Sequence, residues 1–397
     1  MISVRKAKTA PLLLCVCCLL CRAVFLWPVP VLAASSLSQG EDAPALDSES
    51  AILAAADSGE VLYAKNPRQQ MYPASVTKLM TLLLGTEAVR QGLAQWEEPV
   101  TASARAASYG GSQIYLAPGE ILSYREIMLG IALASGNDAA VALAEHLAGS
   151  HEAFAERMNQ RAEELGMLDT HFVNANGLHD PQHYTTAYDL SLLAAAAAKL
   201  PELLELTSTK HYTLRGGTSR PFQLDNKNKL LWQVSGVDGF KTGWTQDAGY
   251  CLAASGKQEA LRLISVVMGN PRARGHIADS KKLLEWGFQR FTFETLFEAD
   301  AAVARIKVSK GMQALVPVRT ESAVGYAAFR TAPREVAAQW EIPEEIPAPV
   351  EEGQVLGHLV LREGETELGR YPLYASEGIE KETVGHGFAK LLSLFLG

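Results

Sequence analysis

Apolar residues occur in short runs separated by turn residues at two places in the sequence, and both patterns predict β-strands. Residues 51–56 and 61–65 flank Asp57-Ser58-Gly59, which is typical of a hairpin turn. Residues 239–245, 250–255 and 261–268 are divided by short turns in the same way. These three runs predict an antiparallel meander.

Between the two groups of strands, the apolar positions recur at helical spacing. The first series begins with Val76 and includes Leu79, Met80, Leu83 and Leu84. Further helices are predicted over 122–147, 187–200 and 280–291, and the first of these is interrupted at Ser135-Gly136-Asn137. Strands that enclose a helical insert predict an α+β domain over residues 34–292.

The last part of the chain has a different pattern. Residues 300–376 are expected to form a small all-β domain, with strands at 303–308 and 315–318 and a hairpin that pairs 355–361 with 367–371. Residues 378–397 are predicted to form an amphipathic helix whose apolar face carries Val384, Phe388, Leu391, Leu392 and Phe395. This helix is too short to span a bilayer. It either lies in a membrane surface or packs on the β domain.

Composition supports a globular, exported protein. The chain has 397 residues, of which 48% are hydrophobic and 20% charged, so it can bury the cores of two domains. Its net charge of -8 argues against binding of nucleic acid. Residues 1–33 resemble a signal peptide: Arg5, Lys6 and Lys8 precede an apolar run, and Val31-Leu32-Ala33 forms a cleavage site. An uncleaved anchor is the alternative.

Cysteine usage agrees with this division of the chain. Of the five cysteines, only Cys251 lies outside the predicted signal peptide. A single thiol forms no internal disulfide, so the core alone must stabilise the mature fold. The apolar sequence around Cys251 predicts that its thiol is buried and inert.

The first candidate for chemistry is Ser75-Val76-Thr77-Lys78, at the start of the first predicted helix. A spacing of three residues places the serine hydroxyl and the lysine amine on one helix face, one turn apart. The pattern alone is weak evidence, because Ser3-Val4-Arg5-Lys6 matches it inside the predicted signal peptide. A serine at this position is more often a helix cap.

Two further motifs change that interpretation. Ser135-Gly136-Asn137 places a hydroxyl and an amide in a tight turn, and Lys241-Thr242-Gly243 lies within a predicted strand. Taken singly, they are typical of an ordinary turn and an exposed edge strand. The three motifs in this order form the set used by serine enzymes that react with penicillin. The sequence therefore predicts a serine enzyme that forms an acyl-enzyme on Ser75.

With these motifs, the chain resembles the low-molecular-mass D-alanyl-D-alanine carboxypeptidases, penicillin-binding proteins of peptidase family S11. The resemblance extends over residues 72–80, 134–140 and 237–250, and continues at 174–178, 185–190 and 280–288. It differs at one place, where the family often has an arginine after a glycine and this chain has Gly275-His276. Whether His276, Arg272 or Arg274 helps to bind the substrate carboxylate is left open.

The resemblance implies a serine β-lactamase/DD-peptidase-like fold and hydrolysis of the terminal D-Ala-D-Ala bond of peptidoglycan stem peptides. Ser75 would be the nucleophile, Lys78 its base and Ser135 a proton relay to the leaving amine. The substrate would be bound by Asn137, by Lys241 and Thr242 at its carboxylate, by the close backbone approach of Gly243, and by an oxyanion hole formed by the N–H groups of Ser75 and Trp244.

The same resemblance implies covalent inhibition by β-lactam antibiotics and a location on the extracytoplasmic face of the bacterial cytoplasmic membrane, bound through the C-terminal helix. No cofactor and no metal are expected. A zinc site at His171, His179 and His183 is the alternative, but these residues follow a loop-like sequence without a helical H-E-x-x-H motif. Polar loop contacts are favoured for all three.

Two rival functions remain open at this point. A class A β-lactamase uses the same chemistry but needs a glutamate within an E-x-x-L-N-like motif, and no glutamate between Asn137 and Asp189 begins one. The second rival is a penicillin sensor that is acylated without turnover. Sensors carry transmembrane helices and a signalling domain, neither of which is visible in this sequence.

Overall fold

The computed structural model describes residues 43–332 and 334–383. The predicted signal peptide over 1–33 and the apolar face of the predicted C-terminal helix lie outside the described residues. Within the described ranges, no helix is both long and apolar enough to cross a bilayer.

The structure is α+β, as predicted. Its strands are β1 Ser50–Ala55, β2 Val61–Lys65, β3 Pro99–Thr101, β4 Ile121–Ser123, β5 His211–Leu214, β6 Phe222–Asp225, β7 Val237–Thr245, β8 Gly249–Gln258, β9 Leu261–Asn270, β10 Phe291–Phe297, β11 Ala302–Ser309, β12 Leu315–Thr320, β13 Val324–Phe329, β14 Ala337–Glu341, β15 Glu345–Pro347, β16 Val355–Glu363 and β17 Thr366–Ala375. Its α-helices are α1 Lys78–Arg90, α2 Ala104–Ala107, α3 Tyr124–Leu129, α4 Asn137–Ala148, α5 His151–Glu164, α6 Ala187–Ala198, α7 Pro201–Ser208 and α8 Gly275–Arg290.

A five-stranded antiparallel sheet organises the larger part of the protein. Its order is β2-β1-β9-β8-β7, so the predicted hairpin and the predicted meander are both present and join through β1 and β9. β8 and β9 are buried almost throughout because helices cover both faces of the sheet. One core packs against α1, α4 and α6, and the other packs against α8. This arrangement leaves β7 at the edge of the sheet.

Local signals start several of the helices. Ser123 and Glu126 form a reciprocal capping box before α3. Ser150 and Thr186 cap α5 and α6 through their side chains, and Pro201 occupies the first turn of α7. These caps fix where each helix begins and therefore where the connecting loops lie.

The predicted interruption between two apolar helices is present and has a specific geometry. A π-helical turn over Gly130–Ala134 follows α3, and Ser135 then adopts a left-handed conformation with φ of 63°. α4 begins at Asn137. This reversal of the backbone places Ser135 and Asn137, both buried, at the junction between the two helices.

Several elements differ from the sequence prediction, among them α5 and α7, which were not predicted, and α8 and β10. α8 begins at Gly275 rather than at residue 280, because Arg274 turns the chain with φ of 65° and Ile277 already packs in the core. β10 was not predicted, since only its first residue, Phe291, is fully buried and the rest of the strand lacks clear alternation. β10 pairs with β13 and so joins the C-terminal β unit.

The C-terminal unit is a β structure, as predicted, around a core of its own. Its main sheet has the order β14-β16-β17-β12-β11-β15. The predicted hairpin is β16–β17, and its register closes at the pair Glu363 and Thr366. The domain limits 34–292 and 300–376 stay predictions from the sequence.

A buried ion pair ties this unit to the five-stranded sheet. Arg334 donates to Glu60 Oε1 at 2.7 Å, to Glu363 Oε2 at 2.8 Å and to the carbonyl of Ala327 at 2.7 Å. Glu60 lies between β1 and β2, and the side chains of Arg334 and Glu60 are only 3% and 2% exposed. Because both charges are withdrawn from water, each depends on the other for compensation.

We predict that Arg334→Ala lowers the free energy of unfolding by about 3–5 kcal/mol, because it leaves the Glu60 carboxylate buried without a partner. Urea unfolding monitored by circular dichroism measures this change. The control is Arg305→Ala, at an exposed arginine of β11, which should change stability by less than about 0.5 kcal/mol. Equal effects of the two substitutions would contradict the interpretation.

Candidate active site

Ser75 lies in a short 3₁₀ helix, Ala74–Thr77, that leads directly into α1. It is partly exposed, whereas the neighbouring Val76, Thr77 and Lys78 are fully buried. The tight turn brings Lys78 Nζ to 3.0 Å from Ser75 Oγ. Sequence spacing predicted that these groups share one face, and the structure brings them into hydrogen-bond contact.

The amine of Lys78 is enclosed by acceptors. It donates to Asn137 Oδ1 at 2.7 Å and to the carbonyl oxygen of Asn176 at 2.5 Å. A neutral amine has two N–H groups and one lone pair, so with both N–H groups used here the lone pair is left for the Ser75 hydroxyl. The site can therefore hold a neutral lysine with every contact satisfied.

Electrostatics favours the same neutral state. Burial holds the pKa of Lys78 well below its usual value, and the positive charges of Lys241 and Lys227 lower it further, whereas Asp138 opposes them. A lysine with a strongly lowered pKa beside a hydroxyl is the arrangement that a general base requires.

Asn137 is held from both sides. Its Nδ2 donates to the carbonyl of Gly110 at 2.7 Å, and its backbone N–H donates to the carbonyl of Ser112 at 2.7 Å. The next residue, Asp138, accepts from the backbone of Ile114 and Leu116 at 3.1 Å. The start of α4 and the loop over 110–116 therefore form one rigid wall beside Lys78.

Ser135 precedes this wall in a left-handed conformation and is 2% exposed. Its Oγ is buried and has no hydrogen-bond partner in the described part of the chain. Buried hydroxyls normally have a partner, so an unpartnered one marks a group whose partner arrives with a ligand or water.

β7 supplies the opposite wall. Lys241 is 1% exposed and donates to the carbonyl of Thr242 at 2.9 Å. Its pKa is lowered well below the usual value by burial and then by the charge of Lys227. Trp244, three residues along the strand, is 57% exposed and packs against Tyr250 with ring centroids 5.8 Å apart.

Gly243 brings this wall against the backbone of Ser75. A Cβ atom on Gly243 would lie 2.8 Å from the carbonyl oxygen of Pro73 and 2.9 Å from the backbone nitrogens of Ser75 and Val76. Real side chains do not tolerate such contacts with backbone atoms, so only glycine allows β7 to approach so closely.

Two participants were missed by the sequence analysis. Asn176 contributes a backbone carbonyl, which no residue type reveals, although the family resemblance did extend over residues 174–178. Lys227 is a third lysine at the site, and its Nζ donates to Ser112 Oγ at 2.7 Å. Partial desolvation lowers its pKa. Nothing in the sequence distinguishes it from other loop lysines.

The three histidines considered for zinc have separate roles. The backbone N–H of Val173 donates to His183 Nδ1 at 3.0 Å, so Nε2 carries the proton and donates to Thr77 Oγ1 at 2.8 Å. Burial lowers the pKa of His183 to about 4. His171 Nδ1 donates to the carbonyl oxygen of Gln182 at 2.7 Å, and His179 Nδ1 lies 3.5 Å from Asp247 Oδ2. Across 43–332 and 334–383, no group of three metal-ligating side chains occurs.

The place where the family often has an arginine is occupied by a stacked imidazole. His276 is 8% exposed and lies parallel to the ring of Tyr250, with centroids 5.4 Å apart. Burial lowers its pKa to about 4. Arg272 forms an ion pair with Asp47. A contact of any of these side chains with a substrate carboxylate stays a prediction.

Comparison with family models assigns both parts of the chain. A model described as D-alanyl-D-alanine carboxypeptidase matches residues 37–272, and one described as penicillin-binding protein 5, C-terminal domain, matches residues 291–381. The chain is 38% identical over 352 residues to the D-alanyl-D-alanine carboxypeptidase DacF of Bacillus subtilis, covering 88% of this chain and 90% of the relative. It is 36% identical over 340 residues to DacA of Haemophilus influenzae, covering 83% and 84%.

Solved structures that resemble this chain are also penicillin-binding proteins. Penicillin-binding protein 5 from Haemophilus influenzae aligns with a TM-score of 0.69 and 33% identity, covering 85% of this chain and 99% of that one. Penicillin-binding protein D2 from Listeria monocytogenes, in its ampicillin-bound form, aligns with a TM-score of 0.56 and 33% identity, covering 61% and 98%.

We predict that Gly243→Ala reduces the rate of acylation by a fluorescent penicillin by about 10²-fold or more, because the new methyl group displaces the backbone of Ser75 and a shift of about 1 Å has this effect on reacting groups. Stopped-flow labelling measures the rate. The control is Gly216→Ala, in the exposed turn between β5 and β6, where the added Cβ would lie 3.6 Å from the carbonyl oxygen of Thr213, an ordinary contact distance. Wild-type labelling by Gly243→Ala would contradict the prediction.

Proposed function

This chain belongs to the D-alanyl-D-alanine carboxypeptidase family, and we propose that it removes the terminal D-alanine from peptidoglycan stem peptides through an acyl-enzyme on Ser75. It is a serine-type hydrolase of the cell wall and a penicillin-binding protein. The observation that carries the residue assignment is the contact of a buried, neutral Lys78 with the Ser75 hydroxyl at 3.0 Å.

Acylation begins with a proton transfer inside this contact. The lone pair of Lys78 Nζ takes the hydroxyl proton while Ser75 Oγ attacks the carbonyl carbon of the penultimate D-alanine. Asn137 and Asn176 keep the two N–H groups of the amine engaged, so its lone pair stays aimed at the nucleophile. The lysine becomes an ammonium, and the tetrahedral intermediate carries the negative charge.

The backbone on both sides of Ser75 stabilises that charge. The N–H of Ser75 and the N–H of Trp244 form the proposed oxyanion hole, and the contact of Gly243 with the Ser75 backbone sets their separation. Each such donor contributes about 10²–10³ in rate. Lys241 and Thr242, which precede Gly243 and Trp244 in β7, bind the terminal carboxylate of the substrate.

Release of D-alanine needs a proton on its nitrogen. Ser135 Oγ is buried and unpartnered within the described residues, and we assign it the relay of this proton from the Lys78 ammonium to the leaving amine as the C–N bond breaks, which returns Lys78 to its neutral form. Water then attacks the ester carbonyl, with Lys78 again as base, and frees Ser75. A β-lactam follows the same first step but its ring stays attached, so the leaving group cannot depart.

Export and membrane association complete the proposal. The signal-like sequence over 1–33 and the apolar face from Val384 to Phe395 support a protein that acts on the extracytoplasmic side of the cytoplasmic membrane and is held there by its C-terminal segment. Both segments lie outside the described residues.

We predict that Ser75→Ala abolishes both release of D-alanine from diacetyl-lysyl-D-Ala-D-Ala and covalent labelling by a fluorescent penicillin, because no other hydroxyl contacts Lys78 in the described part of the structure. Coupled detection of free D-alanine and gel fluorescence measure the two activities. Ser208→Ala, at the half-buried C-terminal end of α7, is the control and should leave both at the wild-type level.

Labelling of the Ser75→Ala variant at wild-type strength would refute the nucleophile. Two results would favour the rival functions instead. Rapid, repeated hydrolysis of nitrocefin would identify a β-lactamase, and labelling of the wild type without any release of D-alanine would identify a sensor.

We also predict that Lys227→Met moves the acid limb of the pH profile of acylation to higher pH. The charge of Lys227 lowers the pKa of Lys78, so its removal raises that pKa and leaves less neutral amine at a given acidic pH. Labelling rates measured across the pH range test this. Lys257→Met, at an exposed lysine of β8, should leave the limb in place, and a shift to lower pH in Lys227→Met would contradict the electrostatic role.

A further inference from the structure

A cavity of about 320 Å³ adjoins the active site beyond the end of β7. It opens between the segment that precedes Ser75, the loop over 181–184 and the turn from β7 to β8. The polar side chains in its walls are Glu49, Gln69, Gln70, Tyr72, Tyr184 and Asp247.

The cavity is continuous with the catalytic cleft along two stretches of chain. Gly243 lies against the backbone of Pro73 and Ser75. From this contact, the chain continues along β7 into the turn that contains Asp247. In the other direction, the segment before Ser75 leads back to Tyr72. Both stretches therefore end in the walls of the same cavity.

A substrate bound in the proposed way reaches this cavity, and the inference rests on that proposed function. The terminal carboxylate lies at Thr242 and the scissile carbonyl at the N–H of Trp244. The peptide therefore runs antiparallel to β7, and its earlier residues lie beside later residues of the strand. Extended peptides and strands both rise by about 3.3 Å per residue. The residue that precedes D-Ala-D-Ala is therefore brought beside Thr245 and Asp247, at the mouth of the cavity.

The charge of the cavity is one-sided. Glu49 and Asp247 are its two acidic residues, and the other polar groups in its walls are the amides of Gln69 and Gln70 and the phenols of Tyr72 and Tyr184. His179 lies beside this carboxylate, with its Nδ1 3.5 Å from Asp247 Oδ2, and its ring packs edge-on against Tyr72 at 4.6 Å. The walls thus offer acceptors for a cation at the far end of a long side chain.

We propose that this cavity is the subsite for the side chain of the stem-peptide residue that precedes D-Ala-D-Ala, and that it selects a side chain ending in a free ammonium group. A dibasic amino acid of the lysine type has the length and charge to place its amine between Asp247 and Glu49. Acylation of that amine removes the charge and adds bulk, so a modified side chain is bound less well.

Three tripeptides with one backbone test the proposal: Nα-acetyl-L-lysyl-D-Ala-D-Ala, its Nε-acetyl derivative and its Nε-succinyl derivative. Release of D-alanine gives kcat/KM for each. We expect the wild type to prefer the free-amine peptide over the Nε-acetyl peptide by about threefold to tenfold in kcat/KM at low salt. This is the size expected of two solvent-exposed ion pairs, from the substrate ammonium to Asp247 and to Glu49. The succinyl peptide should be the poorest substrate, because its carboxylate is repelled. Added salt should reduce the preference.

The ratio of kcat/KM between the free-amine and Nε-acetyl peptides is the readout, because damage to the fold or to catalysis affects both peptides alike. The double variant Asp247→Asn, Glu49→Gln should bring this ratio close to one. Asp247→Lys should favour the succinyl peptide. The control Glu156→Gln, which removes an exposed charge on α5, should keep the wild-type ratio.

An unchanged ratio in the double variant, or a wild type that does not discriminate among the three peptides, would overturn this subsite while leaving the proposed function intact. Absence of D-alanine release from all three peptides would overturn the proposed function, and the subsite with it.

Discussion

The active site depends on the burial of one amine. Lys78 is fully enclosed, and an ammonium placed there without compensation would lose much of its hydration energy, so the neutral form is favoured. Two carbonyl-type acceptors, from Asn137 and Asn176, fix its orientation. α1, the start of α4, the loop over 174–178 and β7 all meet at this point. Much of the fold can therefore be understood as the means of enclosing this amine.

Some of this arrangement could be predicted from the sequence. The spacing of Ser75 and Lys78 fixes their relation within one turn, and periodicity indicated the hairpin, the meander and the interruption before Asn137. Family resemblance then identified residues that are distant in the chain. The carbonyl of Asn176 and the amine of Lys227 could not be found in this way, because a backbone acceptor has no side-chain signature and an exposed lysine in a loop looks like any other.

The start of α8 and the presence of β10 were also hard to predict, because neither has a clear pattern of apolar residues. α8 starts with Gly275 and His276, which have no apolar periodicity, and its beginning is decided by the left-handed turn at Arg274 and by packing of Ile277. β10 has one fully buried residue and is stabilised by pairing with β13. In both cases the tertiary context, rather than local preference, decides the structure.

The position of β7 at the border of its sheet has a consequence for self-association. A border strand keeps one row of backbone donors and acceptors without a neighbouring strand, and sheets commonly extend through such a row into a second molecule. In the proposed function, the same row binds the extended substrate. An oligomer assembled by pairing β7 with another copy of itself would then exclude the stem peptide, so assembly through this border would prevent turnover.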